Sequence, residues 1–175
     1  AKVLLLQLPG RSMPADRSGS LKLNVLGIEG KDFTAKWTDI KDIDFWEKRL
    51  ERETKERIQR GDFKGAYPFM SVLIRDFPNR AGLRELRCEF LWLDAIARAK
   101  RKELAPTLAM LEELRRYAPE YKRSLVLDAI GRTTDQLMQQ LMDGGDLDLA
   151  QKMLARLQKD YANDNLQSIK KWNAE

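Results

Sequence analysis

The chain has 175 residues, 43% hydrophobic and 34% charged, with 32 lysines and arginines against 27 acids, no histidine and one cysteine. That mixture fits a soluble, helix-rich protein and excludes a disordered chain, a histidine acid–base site, a Cys/His zinc site and an intrachain disulfide. The net charge of +5 is interspersed with anions, whereas nucleic-acid binders gather theirs into a patch or stripe.

Residues 1–43 read as a small β unit. The chain opens AKVLLLQLPG without an initiator methionine, and its apolar run, Val3 to Leu6, is too short for a signal h-region. The opening therefore reads as a cut end, from processing or from a longer protein. No window approaches the ~18–20 apolar residues of a membrane span. Lys2–Leu8 and Leu21–Leu26 are strand-like runs separated by a loop of turn formers, Pro9 to Pro14. A turn at Glu29–Asp32 leads to Phe33–Trp37, which alternates apolar with polar as a half-buried strand does. Three strands of this length need something to pack on.

From residue 44 to 175 the pattern is helical. Asp42 or Asp44 can cap a helix running to about Arg60. Gly61-Asp62 breaks it, and a second helix spans about Lys64 to Asp76, ended by Phe77-Pro78-Asn79. A third carries Leu83, Leu86, Phe90, Leu93 and Ala97 on one face, and a fourth carries Leu104, Leu108, Leu111 and Leu114. Val126, Ile130, Thr133, Leu137 and Leu141 mark a fifth, closed by Gly144-Gly145. A sixth holds Leu149, Met153 and Leu157, and Asn165–Asn173 forms a seventh that caps the stack.

One segment occurs three times: GDFKGAYPFMSVLIRDFPN from Gly61, RKELAPTLAMLEELRRYAPE from Arg101, and GDLDLAQKMLARLQKDYAN from Gly145. Phe63, Leu104 and Leu147 lie 41 and 43 positions apart; a small residue follows three places on (Ala66, Thr107, Ala150), and Pro78, Pro119 or Ala162 twelve after that. A turn plus an amphipathic helix cannot bury its apolar face alone, so such units stack. The fold expected is mainly α: three helical hairpins plus a capping helix behind the β unit.

This spacing resembles tetratricopeptide repeats, hence TPR-like, on Gly61, Phe63, Ala66, Met70, Leu73 and Pro78. The second copy has Lys102 in place of glycine, and the third loses the proline. The period exceeds 34, and Thr54, Ala95 and Met138 fall where the first helix of the motif has glycine. Across nearly the whole chain, the leucine-rich opening, the Leu-Pro-Gly-Arg loop, LKLNVL and DFTAKWTDI before hairpins with Phe-Pro ends resemble the N-terminal region of large bacterial extracellular solute-binding proteins of peptide ABC transporters. That resemblance implies a periplasmic or extracytoplasmic accessory module. A stand-alone cytoplasmic TPR-like adaptor is the alternative, and a basic nucleic-acid-binding domain a third reading.

Phosphate loops, a serine nucleophile elbow and metal-binding helices are missing from the sequence, so no catalytic, cofactor or metal residue is assigned. Asp143, Asp146 and Asp148 lack the EF-hand spacing, and the latter two suit a helix start. Arg98, Lys100, Arg101 and Lys102 sit among acids and near a helix C-terminus, where cations oppose the dipole. Cys88, between apolar helical positions, reads as a buried structural thiol. The remaining function is protein or peptide recognition. In TPR-like stacks the first helix of each pair lines a concave groove, which places Lys48, Glu51, Lys55, Glu89, Trp92, Arg132, Asp135 and Gln139 on the partner-binding face. Trp92 is the candidate aromatic anchor, with core packing as the plainer role.

Overall fold

The computed structural model describes residues 13–24, 32–164 and 166–173, and within them it is mainly helical with a two-stranded sheet. By compactness the chain divides into unit 1, residues 1–50, and unit 2, residues 51–175, a division that falls inside the first helix.

In the first unit, β1 (Ser20–Asn24) pairs antiparallel with β2 (Asp32–Lys36), Ser20 opposite Lys36 and Asn24 opposite Asp32. This register sets Leu21 against Ala35 and Leu23 against Phe33, so the apolar side chains of both strands share one face. The expected strand at Lys2–Leu8 lies outside the described residues. Trp37 does not extend β2; it turns into a 3₁₀ segment (Trp37–Asp39) and is buried.

Seven α-helices follow among the described residues: α1 (Trp46–Gln59), α2 (Phe63–Asp76), α3 (Leu83–Lys100), α4 (Leu104–Tyr117), α5 (Arg123–Asp143), α6 (Leu147–Asp160) and α7 (Gln167–Trp172). None is long and apolar enough to cross a membrane. In unit 2, α3 packs on α4, α4 on α5 and α5 on α6, while α7 rests on both α5 and α6.

The threefold sequence segment folds three times alike. α2, α4 and α6 each have 14 residues. Each is entered through a left-handed residue: Gly61 (φ +74°), Lys102 (φ +60°) and Gly145 (φ +77°). At each turn this residue donates to a carbonyl three back (Ile58, Ala99, Met142), and its successor donates to one five back (Arg57, Arg98, Leu141), at 2.9–3.1 Å. That paired pattern satisfies carbonyls the preceding helix leaves open. Each helix then buries the small residue (Ala66, Thr107, Ala150) and a leucine with no exposed surface (Leu73, Leu114, Leu157). The carbonyls of those leucines accept the closing N–H of Phe77, Ala118 and Tyr161 at 2.8–3.0 Å.

The copies differ in detail. Asp62 caps α2 by accepting from Gly65 N–H at 2.9 Å. A side chain at Gly65 would stand 2.1 Å from that carboxylate, so the cap needs the glycine. In α4 the matching position is Pro106, which has no N–H, and Glu103 turns to Arg98 and Arg101 instead. Asp146 stands at the N-cap of α6, where its side chain makes no capping hydrogen bond, and Asp148 occupies the first turn, so both acids sit at the helix start as the sequence suggests. Cys88 is buried, and burial pushes its thiol above the usual range.

Thr134 is fully buried, and among the described residues its hydroxyl has no hydrogen-bond partner. Thr134→Val keeps the shape and removes the unsatisfied oxygen, so it should raise stability by about 1 kcal/mol, read as a shift in the urea midpoint at constant slope.

Candidate functional site

A cleft of about 820 Å³ runs along α5 and α7 in the helical unit. α5 supplies Arg123, Leu127, Asp128, Gly131, Arg132 and Asp135, which recur every three to four residues on one face. The opposite wall comes from Asp164, Leu166, Ser168 and Lys171, at the end of the α6–α7 turn and on α7.

Two contacts hold the walls at this spacing. Ser168 Oγ donates to the Gly131 carbonyl at 3.0 Å, and a Cβ at Gly131 would meet that oxygen at 3.1 Å. Gly131 thus lets α7 approach the backbone of α5. One turn further on, Trp172 Nε1 donates to Asp135 at 2.8 Å, and the indole is buried with Met138 and Ala150. Leu141, Met153 and Leu154 pack around that cluster.

Charge in the cleft is balanced. Arg132 pairs with Asp128 at 2.6 Å, both well exposed. Arg123 pairs with Asp164 at 3.0 Å, and Arg115, from α4, reaches the same carboxylate. Asp164 is nearly buried, with its side chain 8% exposed. Lys171 Nζ lies 4.6 Å from the centre of the Trp172 ring. The lining therefore holds three cations and three carboxylates. On the far side of Arg123 and Asp164 is a second hollow of about 280 Å³, which shares those two residues and Leu127.

Of the residues assigned to the partner face, Arg132 and Asp135 line the cleft together. Gln139, two turns along, donates to Asp143 at 2.8 Å. Glu51 and Lys55 meet each other at 2.6 Å, and Arg80 donates to Glu51 at 2.6 Å. Burial pushes the Glu51 carboxyl up, and the hydrogen bonds from Lys55 and Arg80 outweigh it, leaving it below its ordinary value. Glu51 is thus already engaged within the chain. On α3, Glu89 is exposed, whereas Trp92 is half-buried with Lys122 Nζ 5.5 Å from its ring centre. Lys48 belongs to unit 1 and lies 5.4 Å from the Phe45 ring.

The α7 wall escapes the sequence reading because counting the partner face used only the first helix of each pair. Ser168 and Trp172, one turn apart beside Gly131 and Asp135, carried the only available signal: a small polar and an aromatic residue on one face of the tail. Among the described residues no group of three or more Cys, Asp or Glu side chains could hold a metal ion. Comparison with protein-family models, with curated proteins and with solved structures finds no match to this chain.

Proposed function

We propose that the chain is a non-catalytic protein- or peptide-interaction module of TPR-like build. In this reading α1–α2, α3–α4 and α5–α6 are its hairpins, α7 closes the stack, and an extended polypeptide segment lies along the first-helix face. The observation that carries the reading is the cleft along α5, where Arg132 and Asp135 face a hollow of about 820 Å³. An extended segment presents backbone donors and acceptors in alternation, and the cleft presents guanidinium, ammonium, carboxylate and hydroxyl groups above apolar Leu127 and Leu166. Balanced charge favours a polypeptide over a nucleic acid, whose phosphates need a net positive lining.

The test is to pan a random peptide library on the purified chain and titrate the selected peptides by fluorescence anisotropy. Arg132→Ala removes only an exposed ion pair and should leave folding almost unchanged. It is expected to weaken the peptides about tenfold, and Gly131→Leu, which wedges α7 away from α5, more strongly. Peptides that bind both variants as they bind the parent, or a library that yields none, would sink the reading.

The resemblance to exported peptide-transport proteins supplies the larger setting: an accessory region ahead of peptide-binding lobes. A secretion signal upstream of residue 1 and several hundred residues beyond 175 are expected in the full gene. A native start and stop at these positions would leave the cytoplasmic adaptor.

A further inference from the structure

The helical series ends on an apolar tip. Each of the three left-handed turns is flanked by one apolar residue on either side: Ile58 and Phe63, Ala99 and Leu104, Met142 and Leu147. Ile58 is 4% exposed and Leu104 7%, and Phe63 and Ala99 are half-buried, whereas Met142 is 42% exposed and Leu147 53%. At the first turn the next helix supplies part of the cover, since the Phe63 ring meets Phe90 of α3 edge-on at 6.1 Å. After the third turn the next helix is α7, with six residues against 18 in α3 and 21 in α5. Its last residue, Trp172, packs on Met138 and Ala150, each about one turn short of Met142 and Leu147.

α7 stands where the longer helices α3 and α5 stand in the earlier copies. The turns that lead into α3, α5 and α7 share one hydrogen bond: the carbonyls of Phe77, Ala118 and Tyr161 accept from the N–H of Arg80, Tyr121 and Asp164, each at 3.0 Å. Ser168 and Trp172 are buried, as Val126 and Ile130 are 42 positions earlier in α5. The terminal unit of a stacked array turns a polar face outward, and Met142 with Leu147 does the opposite. Two side chains fall far short of the ~800 Å² per partner that a stable interface buries, so a separate molecule or a second copy gains little there. A segment joined to α7 needs much less, because its effective concentration is high and its helix is already nucleated.

We infer that α7 is the opening of a fourth long helix, and that the tip formed by Met142 and Leu147 is the seat of its continuation, an amphipathic helical segment of the same polypeptide. The contacts of Ser168 with Gly131 and of Trp172 with Asp135 show that α7 advances along α5 in the same direction. One or two further turns on that course reach the tip, where bulky apolar side chains would cover Met142 and Leu147. No bound peptide is needed for this contact.

The experiment compares two thiols. Leu147→Cys and Leu149→Cys replace residues of nearly equal exposure, 53% and 54%, on different faces of α6, because positions two apart do not share a face. Cys88 is buried and sets the slow background. Each variant is made in the 175-residue chain and in a chain with a copy of Thr134–Asp143 joined to Glu175, which keeps the 42-residue register. The extension is expected to slow maleimide labelling of Leu147→Cys about tenfold and to leave Leu149→Cys within about twofold. It should also raise the urea midpoint of the parent, a rise that Leu147→Lys removes. A second extension, copied from Leu91–Lys100 at the end of α3, guards against one segment that fails to fold. Protection of Leu147→Cys by neither extension, or equal protection of both thiols, would overturn the seat. A dimer of the 175-residue chain that Leu147→Lys dissociates in sedimentation would make a second copy the occupant and overturn it too. A stop codon directly after Glu175 in the native gene would remove the proposed occupant. Failure of the peptide library leaves these outcomes unchanged, and loss of the seat leaves the cleft.

Discussion

Trp172→Ala is expected to lower the stability of the helical unit by about 3–5 kcal/mol and to abolish the cleft. Trp172 is 6% exposed in a helix of only six residues, which cannot persist by its own hydrogen bonds. α7 stays because the indole fills the space between Met138 and Ala150 and its N–H reaches Asp135. Truncation removes that area and leaves Asp135 without its donor, so α7 should detach before the rest of unit 2 unfolds. Hydrogen exchange at Ser168–Trp172, together with the denaturant midpoint, separates the two events. Protection of these amides equal to the parent's would contradict this account of α7. Trp172→Phe should recover most of the packing but not the hydrogen bond, leaving a deficit of about 1 kcal/mol.

The second large effect is Leu114→Ala, with a loss of about 3–5 kcal/mol in global stability. Leu114 has no exposed surface, and α4 lies between α3 and α5, the helices it packs against most extensively. With neighbours on both sides the site cannot collapse to fill the vacated volume, so the full cavity cost should appear. Leu157, equally buried on α6, lies nearer the end of the stack and should cost less on the same truncation. Chemical denaturation of both variants checks the order; a larger loss at Leu157 would show that the end of the stack is the stiffer part.

Much of the helical architecture can be read from residues that act locally. Gly61, Gly145, Pro78 and the leucines at 73, 114 and 157 announce where helices start, stop and bury a face, and each acts within about one turn of itself. Trp37 was misread as the last residue of a strand because alternation alone does not reveal where a backbone turns. Asp146 was placed at a helix start, but that its side chain makes no capping hydrogen bond there depends on neighbours the local sequence does not specify. The cleft was half-legible: helical periodicity brought Arg132 and Asp135 to one face, but Ser168, Lys171 and Asp164 arrive there through tertiary packing. No periodicity within α5 encodes what α7 brings to it.

The three turns share a shape but not a cost. Gly61 and Gly145 adopt the left-handed backbone freely, whereas Lys102 does so against its own Cβ. The unrelieved turn sits at the centre of the series, between α3 and α4, the most extensively packed pair. A central hairpin gripped from both sides can impose a backbone angle that a terminal one, with fewer neighbours, could not enforce. Conformational burden is thus borne where the surroundings are most able to dictate it, and permissive residues stand where the array is thinnest.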